Sequence, residues 1–313
     1  MSQHQDRQRG VALITALLIV ALAALLASGM LNTQNLSIHR SGNLIAQEQA
    51  WWYAIGAENW ASKVLERDQQ DNQTDDLTED WATALDFLPV EGGFLKGEVS
   101  DQQGLFNLNN LAGTSQEQAA LQLGRLLTYI EGVDAFIAPA LAKAITDWID
   151  IGTEADSADA AEDDYYLSLR QLPYRTANRP LASVSELRLI RGITPEIYGA
   201  LEPYVTALPD TTPINVNTAP PEILASLAPE LTREAMQPLI AKRETEPFKD
   251  AAQFLAEPVF AGRQIESELL SVDSNYFQLQ VTATVGTTRV TLYSLLRRDQ
   301  GGVETARRSR DSP

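Results

Sequence analysis

The sequence predicts an α+β fold: a long N-terminal helix packed on a small antiparallel sheet that is interrupted by a large α-helical insertion. Three observations carry this. An uncharged apolar run from Val11 to Leu31 opens the chain, and its pattern continues at helical spacing beyond it. Strand-like segments stand near both ends of the remaining chain, at Gly93–Phe106 and Tyr276–Leu296. Between them lie about 165 residues of helical character, and strands, then helices, then strands describe a small sheet domain carrying an insertion.

The N-terminal run has 21 residues, broken in character only by Thr15, Ser28 and Gly29, which is enough to cross ~30 Å of hydrocarbon as a helix. Arg7 and Arg9 precede it, so the positive-inside rule leaves the short leader in the cytoplasm and the acidic bulk outside. A cleaved secretory signal is the competing reading, and its apolar core is usually shorter than this one. There is no proline before Pro89, and Ile45, Trp52, Trp60 and Val64 keep to one helical face. One helix from Val11 to about Arg67 would span ~84 Å, its second half packing that aromatic stripe on a soluble domain. A membrane anchor followed by a separate core helix is the alternative.

From Glu66 to Asp86 acidic residues outnumber basic ones eight to one, which reads as a solvated loop. Leu95, Val99, Leu105 and Phe106 then suggest two short strands, with a pairing partner at the far end of the chain. Helices are predicted over 116–131, 135–148, 183–191, 195–204, 220–227 and 233–243. Phe277, Leu279, Val281, Ala283 and Val285 alternate, and a similar run follows Gly286-Thr-Thr, predicting a hairpin with one buried face. The remaining tail carries arginines and Gly301-Gly302 and is predicted to be disordered.

Composition removes most chemistries. The chain has 313 residues, 42 acidic against 24 basic, a net charge of −18, two histidines and no cysteine. That balance argues against a grip on nucleic acid. Thiolate nucleophiles and cysteine zinc sites are impossible, and His4 and His39 lie far from the main body. Carboxylates remain. Asp147, Asp150, Glu154, Asp156, Asp159, Glu162, Asp163 and Asp164 fall in one block without a basic residue. Such density must be solvated, protonated or neutralised by a hard cation, with calcium foremost; a solvated acidic loop and a cation site both remain open, and no EF-hand pattern is present. Glycoside hydrolysis by paired carboxylates is a further possibility, with no substrate cleft indicated. Asn215-Val-Asn-Thr-Ala followed by Leu224, Leu227, Ile240 to Arg243 and Phe248 resembles a helix-hairpin-helix segment, which makes a membrane-anchored periplasmic DNA-binding module the alternative function. It lacks the usual glycine hairpin, and Asn215 and Asn217 read better as caps of helices and turns.

The short basic leader ending in Gly10, with the apolar helix directly behind it, resembles a type IV pilin-like prepilin. The resemblance implies a pilin-like fold, cleavage by prepilin peptidase between Gly10 and Val11, and methylation of the new N-terminus. Most members carry glutamate at the fifth mature position, where this chain has Thr15. A carboxylate in lipid needs an opposite charge, so a subunit without one suits the tip of a filament better than its middle. Within the body, Gly104-Leu-Phe-Asn-Leu-Asn-Asn110, Asp147-Trp-Ile-Asp150, Ala161-Glu-Asp-Asp-Tyr-Tyr166, Ser185-Glu-Leu-Arg-Leu-Ile-Arg-Gly192 and Asn215-Val-Asn-Thr-Ala-Pro220 resemble the K-type minor pseudopilin family of the type II secretion system.

That resemblance implies a non-enzymatic subunit in the cell inner membrane with its globular part in the periplasm. It would cap the pseudopilus tip with the I-type and J-type minor pseudopilins, with no nucleic acid as partner. It also implies calcium held in the insertion, with Asp150, Glu162 and Asp163 matching best and Asp156 or Asp159 compensating for Gly152, where another aspartate is expected. The expected organisation is a leader at 1–10, a membrane part at 11–31, the first pilin-like part at 32–110, the insertion at 111–273, a C-terminal hairpin at 274–298 and the disordered tail at 299–313.

Overall fold

The structure, a computed structural model, describes residues 3–152, 161–170 and 172–311. Helix α1 runs unbroken over Gln3–Asp71, roughly 100 Å at 1.5 Å per residue. The strands β1 (Leu85–Val90), β2 (Gly93–Asp101) and β3 (Phe106–Asn107) follow. Next come α2 (Gln116–Leu127), α3 (Ala138–Ile149), α4 (Asp163–Leu167), α5 (Pro195–Leu201) and the short strands β4 (Val205–Thr206) and β5 (Ile214–Asn215). Helices α6 (Pro221–Ser226), α7 (Arg233–Arg243) and α8 (Ala251–Leu255) precede β6 (Leu270–Ser271). The chain ends in β7 (Tyr276–Val285), β8 (Thr288–Asp299) and β9 (Gly302–Arg310).

The main sheet is antiparallel, in the order β1-β2-β7-β8-β9. The far-end partner expected for β2 is β7, and the pairing runs from Gly93 opposite Val285 to Asp101 opposite Phe277. Gly93 is required there, because a Cβ would sit 1.7 Å from the Thr284 carbonyl oxygen. The β7–β8 hairpin turns on Gly286 at φ 57°, the positive value that a two-residue turn with glycine first demands. Phe277, Leu279, Val281, Ala283 and Val285 are all buried against α1, as their alternation predicts.

Three expectations are corrected. The face of α1 that meets the sheet is Ala50, Ala54, Ala57, Ala61 and Leu65, while Ile45, Trp52 and Trp60 are 68%, 64% and 57% exposed. Small side chains let the helix lie close on the sheet, so the bulky stripe is turned outward. The C-terminal tail is not disordered: 302–310 form edge strand β9 on β8. Its outward residues are polar, which hides the strand in the sequence, and its anchor is a buried acid on α1. The Glu58 carboxylate accepts Arg308 Nε at 2.9 Å, Thr305 Oγ1 at 3.1 Å and the Ser294 hydroxyl. Burial opposes the charge of Glu58, but those hydrogen bonds hold its carboxyl below the usual value. Finally, the insertion begins before the expected residue 111. The chain leaves the sheet at Asp101 and re-enters it at Tyr276, and Phe106 and Leu108 already belong to the insertion's own core.

The two parts have separate hydrophobic cores, one between α1 and the sheet and one within the insertion around Leu123, Leu126, Ile145, Trp148, Tyr166 and Leu224. Among the predicted helices, 233–243 matches α7 and 195–204 is α5 plus one 3-10 turn, whereas 183–191 forms only a 3-10 helix.

The junction between the parts is buried, with a small apolar contact of Leu208 on Tyr276 and Leu295 beside a polar network. The Asp101 carboxylate accepts Thr218 Oγ1 at 2.6 Å, Ser274 Oγ at 2.7 Å, Asn215 Nδ2 at 3.0 Å and the Gln103 N–H at 2.7 Å. Burial pushes its carboxyl up to about 6 despite those donors. Asn215 also donates to the Asp75 carbonyl at 3.0 Å. Substituting Asn215 with alanine removes donors from a fully buried carboxylate and is expected to cost about 2–3 kcal/mol in a denaturant melt.

Candidate functional site

Two features stand out, the outward face of α1 and the acidic block. Residues from Val11 through Leu44 are exposed along the whole first half of α1, a stretch long and apolar enough to cross a membrane. The helix passes through Gly10 and Val11 without a break. The Thr15 hydroxyl donates to the carbonyls of Val11 at 3.1 Å and Ala12 at 2.9 Å. Thr15 is therefore satisfied by its own helix, where a carboxylate would need an outside partner. Beyond the apolar stretch, Trp52 and Trp60 continue the exposed face. Trp60 borders a groove with Ala57, Ala61, Val64, Trp81 and Val99.

The acidic block is assembled by three segments. The end of α3 supplies Asp147 and Asp150, the start of α4 supplies Glu162 and Asp163, and residues 174–178 pass alongside. Asp147 is 2% exposed, pairs with Lys143 Nζ at 2.9 Å and accepts the Ala161 N–H at 3.0 Å. Asp150 ends α3 and accepts the Gly152 N–H at 2.9 Å. Asp163 Oδ1 accepts the Thr176 N–H and hydroxyl at 3.1 and 3.0 Å, and its Oδ2 pairs with the exposed Arg175 at 2.9 Å. Asp163 thus holds the 174–178 segment while keeping its carboxylate beside the block.

Glu162 is the anomaly. It is 3% exposed, yet its Oε2 has no hydrogen-bond partner. Burial first, then the charges of Asp147, Asp150 and Asp163, push its carboxyl up to about 7. A Cβ at Gly152 would lie 3.0 Å from Asp150 Oδ1 and 3.8 Å from Glu162 Oε1. Gly152 therefore leaves an opening between two carboxylates where a larger residue would intrude. An oxygen-only donor set with one orphaned buried carboxylate oxygen fits a hard divalent cation such as calcium. Of the residues named from the sequence, Asp150 and Glu162 both lie next to Gly152, Asp163 has its two oxygens engaged by Thr176 and Arg175, and Asp156 and Asp159 lie outside the described residues. Asp147 was visible only as a member of the block, and its burial on the inner face of α3 makes it part of the site's charge.

A second acidic group was missed altogether. Asp68, Asp75 and Glu79 bring carboxylate oxygens within 4.8 Å of one another. Arg298 from β8 enters this group, donating to Asp75 at 2.6 Å and Asp68 at 3.0 Å, so the protein supplies its own cation there.

The segment resembling helix-hairpin-helix is spent on packing. Asn217 exchanges two 2.9 Å hydrogen bonds with the backbone of Phe248, buried Arg243 donates to the Val216 carbonyl, and Lys242 pairs with Glu257. Its cations are not offered to a phosphate backbone.

A helix that is apolar through its first half and packed on an antiparallel sheet through its second defines a pilin-like subunit, here enlarged by a helical insertion. Two family models, both described as type II secretion system (T2SS), protein K, match residues 104–210 and 214–273. The type II secretion system protein K of Aeromonas hydrophila is 35% identical, over 95% of this chain and 98% of that protein. The protein of the same description from Pseudomonas aeruginosa is 34% identical, over 94% of this chain and 90% of that one. A chain from the crystal structure of the GspK-GspI-GspJ complex of the enterotoxigenic Escherichia coli type 2 secretion system superposes with a TM-score of 0.78. It is 30% identical, and the match covers 88% of this chain and all of that one. The chain belongs to the type II secretion system protein K family, and it is a minor pseudopilin. The DNA-binding alternative finds no support in these likenesses.

Proposed function

We propose that this chain starts and caps the secretion pseudopilus as its tip subunit, together with I-type and J-type minor pseudopilins. It acts by assembly and carries out no catalysis. The observation that carries this reading is the outward face of α1, where Trp52 and Trp60 extend an apolar surface from the membrane stretch onto the globular part. Tryptophans exposed to this degree suit burial against neighbouring helices. The insertion adds bulk on the far side of the sheet domain, which hinders a further subunit from stacking above. The helix anchors the protein once in the inner membrane with the acidic body in the periplasm, and a calcium ion is held by Asp150, Glu162 and Asp163.

The test is co-expression with the I-type and J-type partners. Replacing Trp52 and Trp60 together with glutamate is expected to weaken recovery of the ternary complex by about tenfold or more. Unchanged recovery with a folded variant would remove the α1 face from the assembly. A second prediction concerns maturation. Prepilin peptidase is expected to cut between Gly10 and Val11 and leave a methylated Val11 at the new N-terminus. Gly10→Val should leave the unprocessed precursor, seen by intact mass, and normal maturation of that variant would refute the prepilin reading.

A further inference from the structure

The sheet face opposite α1 is uncharged along its central strand, where β7 turns Gln278, Gln280, Thr282 and Thr284 away from the core. Register sets Glu98, Gln280 and Tyr293 in one row across β2, β7 and β8, and Ser100, Gln278 and Leu295 in the next. The insertion leans over these rows, and its 3-10 helix Val184–Leu189 and α5 bring Arg188 and Tyr198 opposite them. A cleft of about 510 Å³ lies between floor and wall, a volume in the range of small-ligand sites. The wall is already braced. The Arg188 guanidinium lies 4.2 Å over the Tyr198 ring, and the Tyr198 hydroxyl donates to Glu202 Oε1 at 2.7 Å. Arg307 of β9 donates to the Ala182 carbonyl and so ties the insertion to the sheet beside the cleft. The floor keeps its capacity to bind. Among the described residues, the Gln280 amide and the Tyr293 hydroxyl have no hydrogen-bond partner, and the Tyr293 ring has no aromatic or cationic neighbour.

We propose that this cleft binds a short neutral oligosaccharide bearing acetamido groups, with Gln280 and Tyr293 as its principal contacts. The Gln280 amide offers a donor and an acceptor side by side, the complement of an acetamido group. Tyr293 offers an apolar ring for the C–H face of a sugar and a hydroxyl at its tip. Other ligand classes fit less well. An anion would meet a chain of net charge −18, with Arg307 engaged by Ala182 and Arg188 stacked on Tyr198 beside Glu202. An apolar ligand would bury the floor's amides and hydroxyls without partners. An extended peptide is usually captured by strand addition at an open sheet edge. Here β2, β7 and β8 are each paired on both sides, so the floor presents side chains and no free backbone ladder. The cleft lies on the far face of the sheet from α1 and is independent of the surface on which the assembly reading rests.

The full chain, held in lauryldimethylamine oxide because that detergent has no sugar headgroup to compete, is titrated with triacetylchitotriose by calorimetry. Saturable binding is expected. Cellotriose, which carries hydroxyls where the first sugar has acetamido groups, is expected to bind about tenfold more weakly to the same wild-type protein. Gln280→Leu removes the amide at nearly constant volume and should weaken chitotriose binding about tenfold, while Tyr293→Phe removes only the hydroxyl and should weaken it about threefold. Both side chains are half-buried on the polar face, and melting of each variant beside the wild type controls for folding. No binding of chitotriose at millimolar concentration by the wild type would overturn the proposal. Equal affinity for cellotriose would overturn the acetamido assignment, and unchanged affinity in folded Gln280→Leu would overturn the cleft as the place of binding. Tighter binding of a serine- and glycine-rich decapeptide than of either sugar would show that the cleft takes peptide instead. The sugar comparison needs only the wild-type chain, so the proposal stays open to refutation even where a variant fails to fold.

Discussion

Arg298→Ala is expected to destabilise the sheet domain by about 3–5 kcal/mol, the cost of leaving buried carboxylates without their cation. Arg298 is 5% exposed, bridges Asp68 at the end of α1 to Asp75 in the following loop, donates to the Ser274 carbonyl at 2.8 Å and lies 4.8 Å over the Phe277 ring. One side chain thus joins α1, the sheet and the root of the insertion. Alanine would also forfeit the stacking on Phe277, but the orphaned acids dominate.

The loss should depend on pH, with a sign that can be worked out. Burial, then the charges of Glu79 and Asp75, push the Asp68 carboxyl up to about 7. Its folded value is above the unfolded one, so protonation favours the fold; the contribution is fully present below about pH 4 and is lost as pH rises through about 7. Without Arg298 the carboxylates repel more strongly and the Asp68 value rises further. The deficit of the variant relative to wild type should therefore be smaller at about pH 5.5 than at about pH 8 in denaturant melts. Adding Asp68→Asn should recover part of it. An equal deficit at both pH values, or no rescue by Asp68→Asn, would show that the loss comes from packing alone.

The parts of this architecture that were legible in the sequence are those with periodic patterns. The β7–β8 hairpin alternates cleanly because one face is buried and its turn needs Gly286, and α7 begins at Thr232, whose hydroxyl accepts the Ala235 N–H. What escaped was set by partners distant in the chain. The α1 face was misassigned because hydrophobicity ranks tryptophan above alanine, while the close approach of helix and sheet selects Ala50, Ala54, Ala57 and Ala61. Strand β9 was unreadable because its register is fixed by Glu58, some 250 residues upstream. In the acidic block, the density of carboxylates was plain in the sequence, but no local signal showed that Glu162 is buried with an unpartnered oxygen while Asp163 is taken by Thr176 and Arg175. The Arg298 cluster was hidden similarly, since its acids sat in a loop that read as solvated.

Saturating calcium is expected to raise the melting transition of the insertion by roughly 10 °C and to leave that of the sheet domain nearly fixed. The size follows from linkage. Free ion at a thousandfold excess over its dissociation constant stabilises by about 4 kcal/mol, and each kcal/mol moves a unit of this size by about 2–4 °C. Selectivity follows from the fold: the acidic block caps α3 and α4, whose Trp148 and Tyr166 lie in the insertion core, whereas Ala54, Leu65, Phe277 and Leu292 form a core of their own. Glu162→Gln separates two effects. It relieves repulsion within the block and so should raise stability in chelator, while it removes a charged ligand and should shrink the calcium-induced shift. Calorimetry of the full chain in detergent, with chelator and with calcium, reads both. A calcium shift of similar size in Glu162→Gln and wild type would place the ion away from the acidic block. An equal shift of both transitions would instead show that the buried Asp101–Asn215–Ser274 junction couples the two cores into one cooperative unit.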